Sequence, residues 1–234
     1  MERLDKILAN TGRWSRKEAR AVVRAGRVAV DGRTACTPEE KYREDAVFTV
    51  DGETVSGLRL VYLMLHKPGG LLCATEDPRQ PTVLALLPEH LRRVGLFPVG
   101  RLDKDTEGLL LLTNDGPLAH RLLSPRRHVD KRYLVRADGP FTAGDEAAFA
   151  AGMALGDGLR CLPARLERLE QAEEALVTLQ EGKYHQIKRM TAACGKRVVY
   201  LKRLSMGPLA LDPALKPGEW RYLTVEERAR LEAQ

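Results

Sequence analysis

Two short apolar runs, each stopped by turn residues, constrain this chain most. Leu60-Val61-Tyr62-Leu63-Met64-Leu65 ends at His66-Lys67-Pro68-Gly69-Gly70, and Leu109-Leu110-Leu111-Leu112-Thr113 ends at Asn114-Asp115-Gly116. Runs of that length bounded by Gly, Pro and Asn read as strands buried in a core, and they fall far short of the roughly 18 apolar residues of a membrane helix. Lys131-Arg132-Tyr133-Leu134-Val135-Arg136 alternates with the period of a strand, and 176–179, 198–201 and 220–223 add further strands. A helix is expected where Ile187, Met190 and Cys194 precede Gly195. Strands outnumber helices and their connections vary in length. The expected fold class is therefore α+β: a small α/β N-terminal module, then a larger mixed, mainly antiparallel sheet flanked by helices. Ser56-Gly57 marks the expected linker, which divides the chain into 1–57 and 58–234.

Charge is concentrated at one end. The net charge is +6, and residues 1–33 alone hold nine basic residues against four acidic ones. Leu4, Ile7 and Leu8 predict a short helix that breaks at Asn10-Thr11-Gly12, and Ser15-Arg16-Lys17-Glu18 matches the capping box of a second helix ending near Gly26. Along it Arg16, Arg20 and Arg24 recur every four residues, a cationic ridge that repels itself unless something anionic covers it. Arg27-Val28-Ala29-Val30 with Asp31-Gly32, and Val47-Phe48-Thr49-Val50 with Asp51-Gly52, read as strands entering tight hairpin turns. Charged residues interrupt the first thirty positions, leaving no apolar secretion signal, so a cytoplasmic location is expected.

A ridge of this kind is often only a solvated helix face. Here Arg3-Leu4-Asp5-Lys6, Ser15-Arg16-Lys17-Glu18-Ala19 and Gly26-Arg27-Val28-Ala29-Val30-Asp31-Gly32 together resemble the small RNA-binding domain first described in ribosomal protein S-four. The resemblance covers roughly the first 55 residues. It implies that Arg16, Lys17, Arg20, Arg24 and Arg27 face folded RNA, binding phosphates and shape without doing chemistry.

Several chemistries are disfavoured. Asp103, Asp105, Glu107 and Gly108 begin like a calcium loop, but its twelfth place is Asn114 and the intervening residues are leucines. Asp103 and Asp105 as a glycosidase pair sit beside Arg101 and Lys104, which favour ionised forms and disfavour a general acid. No G-x-x-x-x-G-K loop is present, and His66, His90, His120, His128 and His185 show no i,i+4 ligand spacing. Cys36, Cys73, Cys161 and Cys194 are far apart and read as ordinary thiols.

What remains is a charged loop around Asp103, a Lys-x-Tyr strand and a basic helix start. Leu65-His66-Lys67-Pro68-Gly69-Gly70, Gly100-Arg101-Leu102-Asp103-Lys104-Asp105-Thr106-Glu107-Gly108-Leu109, Lys131-Arg132-Tyr133 and Glu181-Gly182-Lys183-Tyr184-His185-Gln186-Ile187-Lys188-Arg189-Met190 are similar to the successive motifs of RNA pseudouridine synthases. Tyr184-His185-Gln186 resembles the branch acting on small-subunit ribosomal RNA, the A type. The resemblance implies a cofactor-free isomerase, without metal, that everts a uridine, breaks its N1–C1′ bond and rejoins the base through C5. Asp103 would be the essential carboxylate, either attacking C1′ or taking a sugar proton. Tyr133 would stack on the base, and Lys188 would keep Asp103 charged. Arg101 would fill the space left by the everted base. Lys188 and Arg189 are adjacent and either has the reach, but the motif register points to Lys188. Plain competitors are a packing role for Tyr133 and neutralisation of Asp105 or Glu107 by Arg101. Lys183, His185 and Arg189, with Arg197, Lys202 and Arg203, are candidates for holding phosphates, and Lys67 and Pro68 for shaping the fold near the site. The expected partner is ribosomal RNA or an assembling subunit, bound by a monomer. The alternatives are the same reaction on large-subunit RNA, a non-catalytic assembly factor, or a glycoside hydrolase.

Overall fold

The computed structural model describes residues 1–11, 13–43, 46–55, 60–124 and 129–233. The expected linker Ser56-Gly57 lies outside them, as do Gly12, His128 and the side chain of His90. Two compact units emerge: one holds residues 1–61, 84–97 and 113–115, the other 62–83, 98–112 and 116–234.

The first unit begins with β1 (Glu2–Arg3), α1 (Leu4–Asn10) and α2 (Arg16–Arg24). The capping box forms, with the Glu18 amide donating to Ser15 Oγ at 3.2 Å and the Ser15 amide to Glu18 Oε2 at 2.6 Å. β2 (Val28–Val30) and β3 (Arg33–Ala35) follow, then β4 (Lys41–Tyr42), β5 (Phe48–Val50) and β6 (Glu53–Val55). The sheet order is β3-β2-β5-β6, antiparallel throughout, and β1 pairs with β4. Both hairpins turn on Asp-Gly, with φ of 49° and 78° at Asp31-Gly32 and 53° and 81° at Asp51-Gly52. Two successive positive φ values give the turn whose twist matches paired strands. Leu4, Leu8, Ala19 and Val23 from the helices pack on Val28, Val50 and Phe48 from the sheet to form one core.

The second unit is built on a nine-stranded mixed sheet. After Val61 the chain forms β7 (Tyr62–Lys67), a 3-10 turn (Val83–Leu86), α3 (Glu89–Arg93), β8 (Phe97–Pro98), β9 (Glu107–Thr113), α4 (Gly116–Leu123), β10 (Lys131–Ala137) and α5 (Ala143–Ala151), of which residues 84–97, holding most of the 3-10 turn and all of α3, and residue 113 belong to the first unit. β11 (Met153–Ala154) and β12 (Arg160–Cys161) form a separate pair, followed by β13 (Arg165–Arg168), β14 (Glu174–Leu179), α6 (Gln186–Ala193), β15 (Val198–Met206), β16 (Leu209–Ala210), β17 (Trp220–Tyr222) and α7 (Val225–Glu232). The order is β13-β14-β10-β15-β9-β7-β17, with β8 and β16 attached at the side. β15 and β9 run parallel, and the other registered neighbours in this sheet are antiparallel. The α+β class and the mainly antiparallel larger sheet agree with the sequence reading. Both apolar runs are core strands: β7 is buried along its whole length, and β9 from Gly108 to Thr113.

One glycine makes the parallel step possible. Gly108, at φ 104°, faces Arg203 across the β9–β15 pair, and a Cβ there would lie 2.2 Å from the Arg203 carbonyl oxygen. Only glycine lets the two backbones approach this closely. Among the described residues no helix is long and apolar enough to cross a membrane, and no cluster of three or more His, Cys, Asp or Glu could hold a metal.

Candidate active site

The site lies within the second unit, where the loop between β8 and β9 meets β10, β15 and the start of α6. Local sequence explains the strand contribution. In β10 the alternation buries Lys131, Tyr133, Val135 and Ala137 and exposes Arg132 and Arg136. Tyr133 pairs in register with Val177 on one side and Arg203 on the other, so these side chains share one sheet face. A cavity of about 70 Å³ opens there, lined by Arg101, Asp103, Thr106, Tyr133, Leu179, Lys183, His185, Ile187 and Leu201 among others. A second cavity of about 370 Å³ shares Arg101, Tyr133, Gly182 and Lys183 with it.

The loop carrying Asp103 is held from below. Lys67 at the end of β7 is fully buried, and its ammonium donates to three backbone carbonyls: Pro68 at 2.9 Å, Lys104 at 3.0 Å and Thr106 at 2.8 Å. Burial pushes the Lys67 pKa below its ordinary value, against the pull of Cys73, Asp105, Glu107 and Asp103. The Gly70 amide donates to the Lys104 carbonyl at 2.7 Å, and the Leu102 amide to the buried Cys73 sulfur at 3.3 Å. Burial raises the Cys73 pKa, so it remains a thiol. The Lys-Pro-Gly-Gly turn and Cys73 thus fix the backbone on both sides of Asp103.

The charged centre is one ammonium between two carboxylates. Lys188, in the first turn of α6, lies 3.1 Å from Asp103 Oδ2 and 2.5 Å from Asp105 Oδ1. His185 Nε2 stands 3.6 Å from the other Asp103 oxygen. Asp103 and Lys188 are each about three-quarters buried, whereas Asp105 is 75% exposed. Burial opposes the charge on Lys188, but the hydrogen bonds to Asp105 and Asp103 outweigh it and its pKa is raised. Burial likewise works against ionised Asp105, yet the Lys188 hydrogen bond holds its carboxyl below the ordinary range.

The other candidate residues divide. Arg189 turns away and pairs with Asp157. Lys183 pairs with Glu181 at 3.0 Å. Arg101 is exposed on the cavity rim and forms no ion pair among the described residues, with Asp105 or Glu107 in particular. In the first unit the ridge has an internal counterion that sequence reading overlooked. Fully buried Asp5 of α1 accepts from Arg3 at 3.0 and 3.1 Å and from Arg20 at 2.8 Å, with Arg16 at 3.8 Å. Arg27 pairs with Asp51, with Nε 2.9 Å from Oδ1. Lys17 and Arg24 are exposed and without an ion pair among the described residues. The sequence offers Arg101 as a partner for Asp105, but the structure pairs Asp105 with Lys188 instead. No periodicity links residue 188 to residues 103 and 105, so no local signal carried it.

The comparisons with known proteins agree with this architecture. The family model described as RNA pseudouridylate synthase matches residues 61–193, and the S4 domain model matches residues 2–47. An uncharacterised RNA pseudouridine synthase of Bacillus subtilis is 51% identical over 229 residues, covering 96% of each chain. A protein of Vibrio cholerae named ribosomal small subunit pseudouridine synthase A is 41% identical, covering 98% of this chain and 99% of its own. A solved structure titled as a pseudouridylate synthase superposes with a TM-score of 0.71 at 36% identity, covering 99% of this chain and all of that one. With more than half its length matched by the catalytic model and near-complete alignment to such relatives, the chain belongs to the RNA pseudouridylate synthase family.

Proposed function

We propose that this enzyme converts a uridine of small-subunit ribosomal RNA to pseudouridine in the cytoplasm, docking RNA through residues 1–57 and performing the isomerisation in residues 58–234. The observation that carries the chemistry is the Asp103 carboxylate at the wall of a cavity lined by Tyr133, with the Lys188 ammonium 3.1 Å away. The choice of RNA is supported by the full-length likeness to relatives named as small-subunit enzymes.

In this reading the everted uracil stacks on Tyr133, a contact worth about 1–3 kcal/mol. Asp103 acts at the ribose, attacking C1′ or removing a sugar proton. The N1–C1′ bond breaks and the base turns; C5 then bonds to C1′ as Asp103 is released or returns the sugar proton, and the C5 hydrogen leaves as a proton while N1 takes one up. The neighbouring cavity gives the detached base room to turn. Lys188, 3.1 Å away, holds the Asp103 carboxylate in place while the bound base excludes water. Arg101, exposed on the rim and without an ion pair among the described residues, occupies the gap in the RNA stack and returns part of the cost of eversion through its planar cation. Lys17 and Arg24, without an ion pair among the described residues, contact phosphates first.

Mapping pseudouridine in both ribosomal RNAs, with and without the gene, tests the reading. One small-subunit position should revert to uridine. A loss confined to the large-subunit RNA would overturn the substrate, and no loss in either would overturn the activity on ribosomal RNA.

A further inference from the structure

Among the described Tyr, Trp and Phe residues, Tyr184 is the most exposed, at 74%. Its ring lies flat on the His185 imidazole, with centroids 3.8 Å apart and planes 18° from parallel. No hydrogen bond or ion pair among the described residues engages it. Hydrogen bonds brace the loop that carries it. Buried Gln186 accepts from the Lys183 amide at 3.0 Å and donates to Glu181 at 2.5 Å, and Glu181 also accepts from the Leu162 amide at 2.8 Å. His185 itself adopts φ 49° at the start of α6. The other described non-glycine residues with positive φ, Asp31 and Asp51, sit in hairpin turns before glycine. A strained backbone at His185 therefore holds the Nε2 edge of the imidazole 3.6 Å from Asp103 while its ring stacks on Tyr184, whose own ring is open to solvent.

We propose that the open face of Tyr184 is a stacking site for a nucleobase flanking the everted uridine, so that the Tyr184–His185 pair continues the base stack of the substrate strand beside the catalytic cavity. This rests on the reading of the chain as a pseudouridine synthase. An exposed aromatic ring gains most from a planar aromatic partner, and the partner nearest an everted uridine is its neighbour in the strand. A π-face accepts any base, so the subsite adds affinity without reading sequence. The pinned loop is ordered before RNA arrives, which keeps the entropic loss on stacking small.

The test compares Y184A, Y184L, Y184F and Y184W, using small-subunit ribosomal RNA transcribed with tritium at uracil C5 and measuring release across RNA and salt concentrations. Tyr184 is exposed, so each variant should fold. Y184A and Y184L should raise KM about tenfold, a change of about 1.4 kcal/mol, with the loss confined to KM, and Y184F and Y184W should restore it. The dependence of log affinity on log salt should stay unchanged, because a neutral ring makes no phosphate contact. A wild-type KM for Y184L, a salt slope smaller by about 0.7, or a loss in kcat alone would overturn the stacking role. If the wild-type enzyme releases no tritium, the functional reading fails; if it does and Y184L keeps its KM, only this inference fails.

Discussion

The Asp5 and Asp103 clusters use the same chemistry in opposite proportions. Around Asp5 one buried carboxylate gathers Arg3, Arg16 and Arg20, so the cations are in surplus. Around Asp103 one ammonium serves two carboxylates, so the anions are in surplus. In the first case the carboxylate is the scaffold and the guanidiniums, a third to a half exposed, remain available to a polyanion. In the second the lysine is the scaffold, and in the proposed reading Asp103 keeps an oxygen for the ribose. A surface that must hold RNA and a site that must act on ribose differ in which sign of charge is left over.

The largest expected effect comes from breaking the anionic cluster. Lys188→Met leaves Asp103 and Asp105 side by side without their ammonium, and kcat should fall about a hundredfold, the scale of losing one preorganised charged partner. The salt slope of RNA binding should not change, because Lys188 is already engaged by two carboxylates. A variant with wild-type kcat would show that the shared ammonium is not what arms the site.

Breaking the cationic cluster should cost stability. Asp5→Ala leaves Arg16 and Arg20 without the counterion they share and Arg3 with Glu39 alone, and thermal unfolding should report a loss of about 1–3 kcal/mol. Burial opposes the Asp5 charge, but hydrogen bonds from Arg3 and Arg20 outweigh it and hold the carboxyl below its ordinary value. Its folded value is thus lower than its unfolded one. The stabilisation is complete above about pH 4 and disappears as pH falls through the folded value. Wild type and variant should therefore converge in midpoint below about pH 4, and a constant gap down to pH 2 would contradict the assignment.

Much of the fold was legible because its signals are local. Asp-Gly pairs announced both hairpins, Ser15 and Glu18 announced α2, and unbroken leucine runs announced the buried strands. The Thr224-x-x-Glu227 capping box of α7 was equally local and went unread, although it forms in full. β15 was expected to stop at Leu201 yet continues to Met206, because Arg203 is buried with its Nε donating to the Leu109 carbonyl at 2.8 Å. No alternation rule credits a buried arginine. The motif residues of the site could be named from their order along the chain. Their electrostatics could not: that Lys188 divides itself between two aspartates, that Lys67 spends its ammonium on three carbonyls, and that Asp5 covers the arginine ridge are tertiary facts joining distant segments.

The account depends most on the Asp103 carboxylate, and Asp103→Asn tests it with little change in shape. With small-subunit ribosomal RNA labelled with tritium at uracil C5, release should drop about a thousandfold or more while thermal midpoint and RNA affinity stay at wild-type values. Release within a few-fold of wild type, from a folded and RNA-bound variant, would show that the chemistry lies elsewhere.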